Sequence, residues 1–194
     1  MMLDYTDMGS ETTIDIIECL IDAWQPSLSV LFSYEEALVI IRNLITIERS
    51  EFAMRNIQIL TSGDDLIGVT LSLNLSKVQA ARQVNVFSIL DNIEDKAGFM
   101  SKLSVYNKCF QPLPNEDGIY LSKLAVSKQF RGQGMGTVLM DKFIEHHNSD
   151  IPIFLEVHKS NAAAINLYKK QHFNIVETSD PGEYISMKRM KLNH

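Results

Sequence analysis

Long apolar runs are scarce in this sequence. The stretch from Ala37 to Ile47 is interrupted by Arg42 and Asn43 and is too short to span a bilayer. Cysteine is scarcer still. Cys19 and Cys109 lie far apart and belong to no Cys-x-x-Cys pair, which excludes a disulfide framework and points to two buried thiols in a reducing compartment. Basic residues are outnumbered, with 18 Lys and Arg against 24 Asp and Glu and a formal charge of −6. A nucleic-acid binder wants a basic footprint, so that class is set aside. The acidic excess would steer a cationic partner only during encounter, and ordinary solubility explains it better. The start, Met1 to Asp7, has no basic region ahead of an apolar run, so no secretory signal is expected. Repeats, low-complexity tracts and linkers are also missing. The expectation is a soluble, cytoplasmic, single-domain chain over residues 1–194, monomer or homodimer, with no membrane or nucleic-acid partner.

Periodicity organises what is there. From Thr13 to Trp24, Ile14, Ile17, Leu20, Ile21 and Trp24 recur at helical spacing with acidic residues between them. Pro26 and Ser27 break that helix. Ser33 followed by Glu36 is a capping-box pattern, and a second amphipathic helix runs from Ala37 to Arg49. Ile57–Leu60 and Leu66–Leu73 flank Thr-Ser-Gly-Asp-Asp and read as a β-hairpin. Lys77 to Phe110 has helix-compatible content with breaks at Asp91-Asn92 and Gly98, giving one or two helices. After a loop rich in proline come a strand at Ile119–Val126, a helix carrying Val138, Leu139, Phe143 and Ile144, and a turn at 148–150. A strand at Ile153–Val157, a helix at Ala162–Gln171 and a hairpin formed by Phe173–Glu177 and Tyr184–Met187 around Pro181-Gly182 complete the chain. The fold class is α+β.

The stretch from Ile119 to Thr137 carries the chemistry. An apolar strand, broken only by Ser122 and Lys123, leads into Gly132, Gly134 and Gly136 and then into a helix. Glycines let backbone N–H groups converge without Cβ obstruction, and a helix start adds unpaired donors and a positive dipole end. The order describes an anion site. A dinucleotide fingerprint needs Gly-x-Gly-x-x-Gly, but here the third glycine comes one position early and Thr137 stands where Gly or Ala is wanted. A nucleotide P-loop needs a lysine after the glycines, and none follows. The pattern that fits is Arg/Gln-x-x-Gly-x-Gly/Ala, met by Arg131-Gly132-Gln133-Gly134-Met135-Gly136.

That hexapeptide is preceded by Leu-Ala-Val-Ser-Lys-Gln-Phe and followed, at a suitable distance, by Leu-Glu-Val-His-Lys-Ser-Asn-Ala-Ala-Ala-Ile-Asn-Leu-Tyr-Lys-Lys-Gln-His-Phe. Together they resemble the GNAT N-acetyltransferase family, closely over residues 119–173 and loosely in the flanking elements. The resemblance implies an acyl-CoA N-acyltransferase fold with a mixed, splayed central sheet flanked by helices. It also implies acetyl-CoA as cofactor and a small-molecule or peptide amine as acceptor. Backbone N–H groups from Arg131, Gly132, Gln133, Gly134, Met135, Gly136 and Thr137 would cradle the pyrophosphate. The edge of Leu124, Ala125 and Val126 would pair with the pantetheine arm as an added strand does. The Asn161 position binds the cofactor arm in the family, and the Tyr168 position bonds the thioester sulfur. Seven residues separate the two, so they share a helix face roughly 10 Å apart along the axis. Tyrosine, with a pKa near 10, stays protonated at neutral pH and can donate to a leaving thiolate.

Glu156 matches a glutamate that serves as general base in the branch acetylating protein N-termini; an outward-facing glutamate on a two-faced strand is the plain alternative. Many relatives use ordered water, or a group on the preceding strand such as Tyr120 or Ser122. The rival functions are a CoA-binding sensing module without turnover and a protein N-terminal or lysine acetyltransferase. The segments 13–49 and 77–118 would shape the acceptor site, the latter as a wall or a dimer contact. No metal is expected: His146, His147, His158, His172 and His194 fit no ligand spacing and read as surface residues. At His172 the family usually has glycine, which supports a helix C-cap; its loss should strain the end of the Tyr168 helix without touching the cofactor contacts.

Overall fold

In the computed structural model, which describes residues 3–9, 14–110, 112–147, 151–176 and 182–190, the apolar runs assemble into one seven-stranded sheet. Its strands are β1 (Asp4–Asp7), β2 (Ile57–Ser62), β3 (Asp65–Asn74), β4 (Ile119–Val126), β5 (Ile153–His158), β6 (Phe173–Ile175) and β7 (Tyr184–Arg189), in the order β1-β2-β3-β4-β5-β7-β6. Every neighbouring pair is antiparallel except β4–β5. Seven α-helices flank it: α1 (Ile14–Trp24), α2 (Leu28–Leu31), α3 (Tyr34–Ile45), α4 (Val78–Asn92), α5 (Lys96–Asn107), α6 (Met135–His146) and α7 (Ala162–Lys170). Side chains of α1 to α5 pack in one core cluster, and those of α6 and α7 pack on the opposite face of the sheet.

Being covered on both faces explains why the middle strands read as continuous apolar runs and not as alternating ones. In β3 every residue from Ile67 to Leu73 is buried. Its hydroxyls are satisfied, as buried polar groups must be: Thr70 bonds the Tyr5 hydroxyl at 2.6 Å and Ser72 meets His147 Nε2 at 3.0 Å. Gly68 is required by close approach, since a Cβ there would lie 2.6 Å from the Ala125 carbonyl and 2.9 Å from Leu139 Cδ2 of α6. That absence lets α6, and the glycine turn feeding it, lie against the sheet.

Two irregularities open the site. The β3–β4 register slips between Leu71↔Lys123 and Ser72↔Leu121, which leaves Ser122 as a bulge in β4. Beyond the bulge the strand changes parity. Tyr120 and Ala125, five positions apart, both join the α1–α5 core, whereas Leu121 and Leu124 pack on the other side. In addition, β4 and β5 pair only at Ile119↔Ile153, Tyr120↔Phe154 and Leu121↔Leu155. After that β5 pairs with β7 alone, and the edge of Leu124–Val126 faces a gap. This is the splayed sheet expected from the resemblance.

The structure corrects some sequence expectations and bears out others. Residues 77–110 form two separate helices. Strand β1 escaped notice because Asp-Tyr-Thr-Asp carries one large apolar side chain. Cys19 is buried, but Cys109 is partly exposed. His147 is no surface residue: it is half-buried against Phe143 with its ring on Ser72, and burial pushes its pKa down to about 4. The capping box is present, with Ser33 Oγ accepting from the Glu36 amide and Glu36 accepting from the Ser33 amide. His172 takes the left-handed conformation a glycine would favour, with φ of 63°, so the end of α7 keeps its shape at the cost of strain. Expectations on Thr13, 148–150, Glu177, Pro181 and His194 fall outside the described residues.

Candidate active site

The turn ahead of α6 shows why glycine is needed. Gly132 and Gly134 have φ of 75° and 80°, and Gly134 is the N-cap of α6. The Thr137 amide turns back on the Gly134 carbonyl at 3.0 Å, while the amides of residues 132–136 have no backbone acceptor among the described residues. A row of free donors at a helix start is an anion cradle. The Arg131 side chain does not point into it. Its Nε donates to the Val126 carbonyl at 2.9 Å and its Nη2 to Asp22 at 2.7 Å, bracing the turn against β4 and α1. Gln133 turns away as well, donating to the Gln129 carbonyl at 2.8 Å.

One cleft of about 750 Å³ gathers every expected site residue except Gln133. Asn161 sits at its rim as the N-cap of α7, Oδ1 accepting from the Ala164 amide at 3.1 Å. Tyr168, two turns along, is buried against Phe173, and its hydroxyl has no hydrogen-bond partner among the described residues. Desolvation pushes its pKa up to about 12, so it is a proton donor throughout the neutral range.

Glu156 is not outward-facing. Its side chain is 2% exposed, and it accepts from the Tyr120 hydroxyl at 2.8 Å. Tyr120 in turn accepts from Arg82 Nη2 of α4, also at 2.8 Å. Arg82 lies 3.6 Å from Glu51 and 3.8 Å from Glu156. Burial raises the Tyr120 pKa well above its ordinary value, so this phenol remains a donor. Burial also opposes ionisation of Glu51, but Arg82, Lys123 and a hydrogen bond from Ser122 outweigh it and hold its carboxyl below the usual range. Lys123, whose Nζ lies beside the stacked Trp24 and Phe52 rings at 5.2 and 5.9 Å from their centroids, donates to Ser122 Oγ at 2.9 Å. Burial lowers its pKa despite the nearby carboxylate. Among the described residues no cluster of His, Cys, Asp or Glu has metal-site geometry.

Sequence reasoning missed Glu51, Arg82, Trp24, Tyr106 and Tyr184. Tyr120 and Ser122 were named as alternatives to Glu156, and Lys123 left a trace only as a polar interruption of an apolar strand.

The chain is similar to known acetyltransferases in sequence and in fold. Residues 78–173 match the model of the acetyltransferase (GNAT) family. A probable N-acetyltransferase, san, from Drosophila melanogaster is 31% identical over 96 residues, covering 44% of this chain and 52% of that protein; the chain therefore matches about half the length of that relative. Among solved structures, an N-acetyltransferase from Staphylococcus aureus superposes with a TM-score of 0.73 at 17% identity, over 95% of this chain and 98% of that one. A structure described as histone acetyltransferase HPA2 and related acetyltransferase, from Corynebacterium glutamicum, gives 0.62 at 19% identity, over 100% of this chain and 99% of that one. At such identities the structures speak for the fold alone, and no described helix is long and apolar enough to cross a membrane. With residues 78–173 matching the family and the described chain carrying its fold, this protein belongs to the acetyltransferase (GNAT) family.

Proposed function

We propose that this chain transfers the acetyl group of acetyl-CoA to a primary amine by direct attack. The observation that supports this most is the continuity of the cleft, which has free backbone donors at one end and Tyr168 and Glu156 at the other. The residues suit the donor substrate. A Cβ added at Gly132 or Gly134 would meet nothing within 4 Å, so open space lies over the amides where a pyrophosphate can sit. The free edge of Leu124–Val126 offers amide partners to the pantetheine arm, and Asn161 flanks it. When bound, acetyl-CoA supplies an activated acyl group and a thiolate leaving group.

The chain's own groups manage the protons. Glu156 takes a proton from the attacking amine, directly or through water. The Tyr120 hydroxyl fixes the carboxylate's orientation, and Arg82 fixes the hydroxyl. Tyr168, kept protonated by burial, donates to the departing sulfur. A thiol-release assay with acetyl-CoA and a pool of amines tests the reading. Replacing the hydroxyl in Tyr168→Phe should lower kcat by about tenfold or more with acetyl-CoA affinity by calorimetry little changed; an unchanged kcat removes Tyr168 from the mechanism. Cofactor binding with no thiol release on any amine would make the site a sensing module instead.

A further inference from the structure

The cleft does not end at Glu156. It shares Ser122, Lys123, Glu156 and Tyr184 with a polar constriction of about 50 Å³. That constriction shares Trp24, Glu51, Arg82, Tyr106 and Phe110 with a third cavity of about 630 Å³ bounded by α2, α4 and α5. The three spaces run in series, from the glycine turn on one side of the molecule to the α4–α5 helices on the other.

The outer cavity has a definite chemistry. Leu31, Phe32, Val86, Phe99, Leu103 and Leu113 are its apolar walls. Among the described residues its only charged lining groups are Glu51 and Arg82, and these already face each other at 3.6 Å. Helix α5 is thinly seated: Phe99 is its one buried residue, while Leu103 and Tyr106 are half-buried along the cavity. A buried polar or charged group without a partner is costly, so this cavity has little to offer a second ammonium or a carboxylate. It offers apolar contact instead. The constriction has the volume of one or two water molecules, each occupying about 30 Å³, which admits an amino group on a slender stem and no ring.

We propose that the α4–α5 cavity binds the acceptor as a small primary amine carried on an uncharged, apolar, ring-sized body, its amino group passing the constriction to Glu156. This rests on the acetyltransferase reading above. Lys123 and Arg82 beside Glu51 and Glu156 leave the constriction without the excess negative charge a polyamine would seek.

Thiol release measured with 2-phenylethylamine, spermidine, phenylalanine and a tripeptide tests it. The expected result is a kcat/KM for 2-phenylethylamine at least about tenfold above the other three. Leu103→Asp should raise its KM by about tenfold or more while acetyl-CoA affinity is unchanged. Leu103→Trp, which fills the cavity without adding charge, should raise KM in the same direction and guards against an unfolded variant, with thermal melting of both as control. Preference for spermidine, phenylalanine or the tripeptide overturns the acceptor assignment alone. So does an unchanged KM in both folded variants. Silence on all four amines with acetyl-CoA still bound overturns the acceptor assignment, and silence across the whole amine pool defeats the acetyltransferase reading as well.

Discussion

The two halves of this site are built from different materials. In the proposed function, recognition on the α6–α7 side comes from backbone: free amides of residues 132–136, a strand edge at Leu124–Val126, and one hydroxyl at Tyr168. On the α1–α5 side it comes from side chains drawn from distant positions: Trp24, Glu51, Arg82, Tyr106, Tyr120 and Glu156. A backbone site depends on conformation, and a few glycines specify it locally. A side-chain site depends on tertiary assembly, and no short segment contains it. The first suits an invariant ligand. The second is free to change with the acceptor.

Substitutions at the two ends should separate these halves. Gly134→Glu should have the largest effect, because a side chain at φ of 80° costs about 1–2 kcal/mol and adds a negative charge to an anion cradle. Acetyl-CoA affinity should fall by more than about a hundredfold in calorimetry; normal binding would show that the turn does not hold the pyrophosphate. Glu156→Gln should do the reverse, lowering kcat by about a hundredfold or more with little change in acetyl-CoA affinity. Retained turnover would place the base elsewhere on the acceptor side.

Smaller effects are expected away from both. His172→Gly relieves the left-handed strain at the end of α7 and should stabilise the fold by about 1 kcal/mol, raising Tm by about 2–4 °C. Turnover should not change, since His172 does not line the cleft. A drop in kcat/KM would mean that the strain itself holds Tyr168 in position. The smallest effect belongs to His147. Its folded pKa of about 4 lies below the ordinary value of 6.5, so the unfolded chain binds the proton more readily. Its contribution to stability is therefore complete above pH 6.5 and is lost as pH falls toward 4. Denaturant midpoints for the native chain and His147→Asn should draw closer together between pH 7 and pH 5, and parallel midpoints would refute the assignment.

Legibility in the sequence followed the same division. Strand β4 and the glycine turn were readable because adjacent residues determine them, and Asn161 and Tyr168 because one helix fixes their spacing. Glu156 could be named but not oriented: period-two alternation cannot say which face of β5 meets a cavity. Arg82 was hidden in α4, whose apolar residues show little periodicity because that helix borders a cavity on one side and the sheet on another. Glu51, in the loop after α3, had no local signal at all. Strand β1 was invisible for another reason. An edge strand of four residues is held by its ladder with β2 and by the Tyr5–Thr70 hydrogen bond, not by its own hydrophobicity.

The bulge at Ser122 carries a consequence for how this chain can vary. Upstream of it β4 directs Tyr120 toward the α1–α5 core, and downstream it directs Ala125 to that same side. Removing Ser122 would leave composition, hydrophobicity and the faces of Tyr120 and Ala125 untouched, yet β4 would lose the bend at the point where it parts from β5. The hydrogen bond from Ser122 to Glu51 would go with it, and the ladder with β3 would run straight past the start of the gap. Point substitutions around the α4–α5 cavity can be absorbed one at a time. A one-residue deletion at the bulge would keep every side chain on its face and remove the bend that opens the cleft.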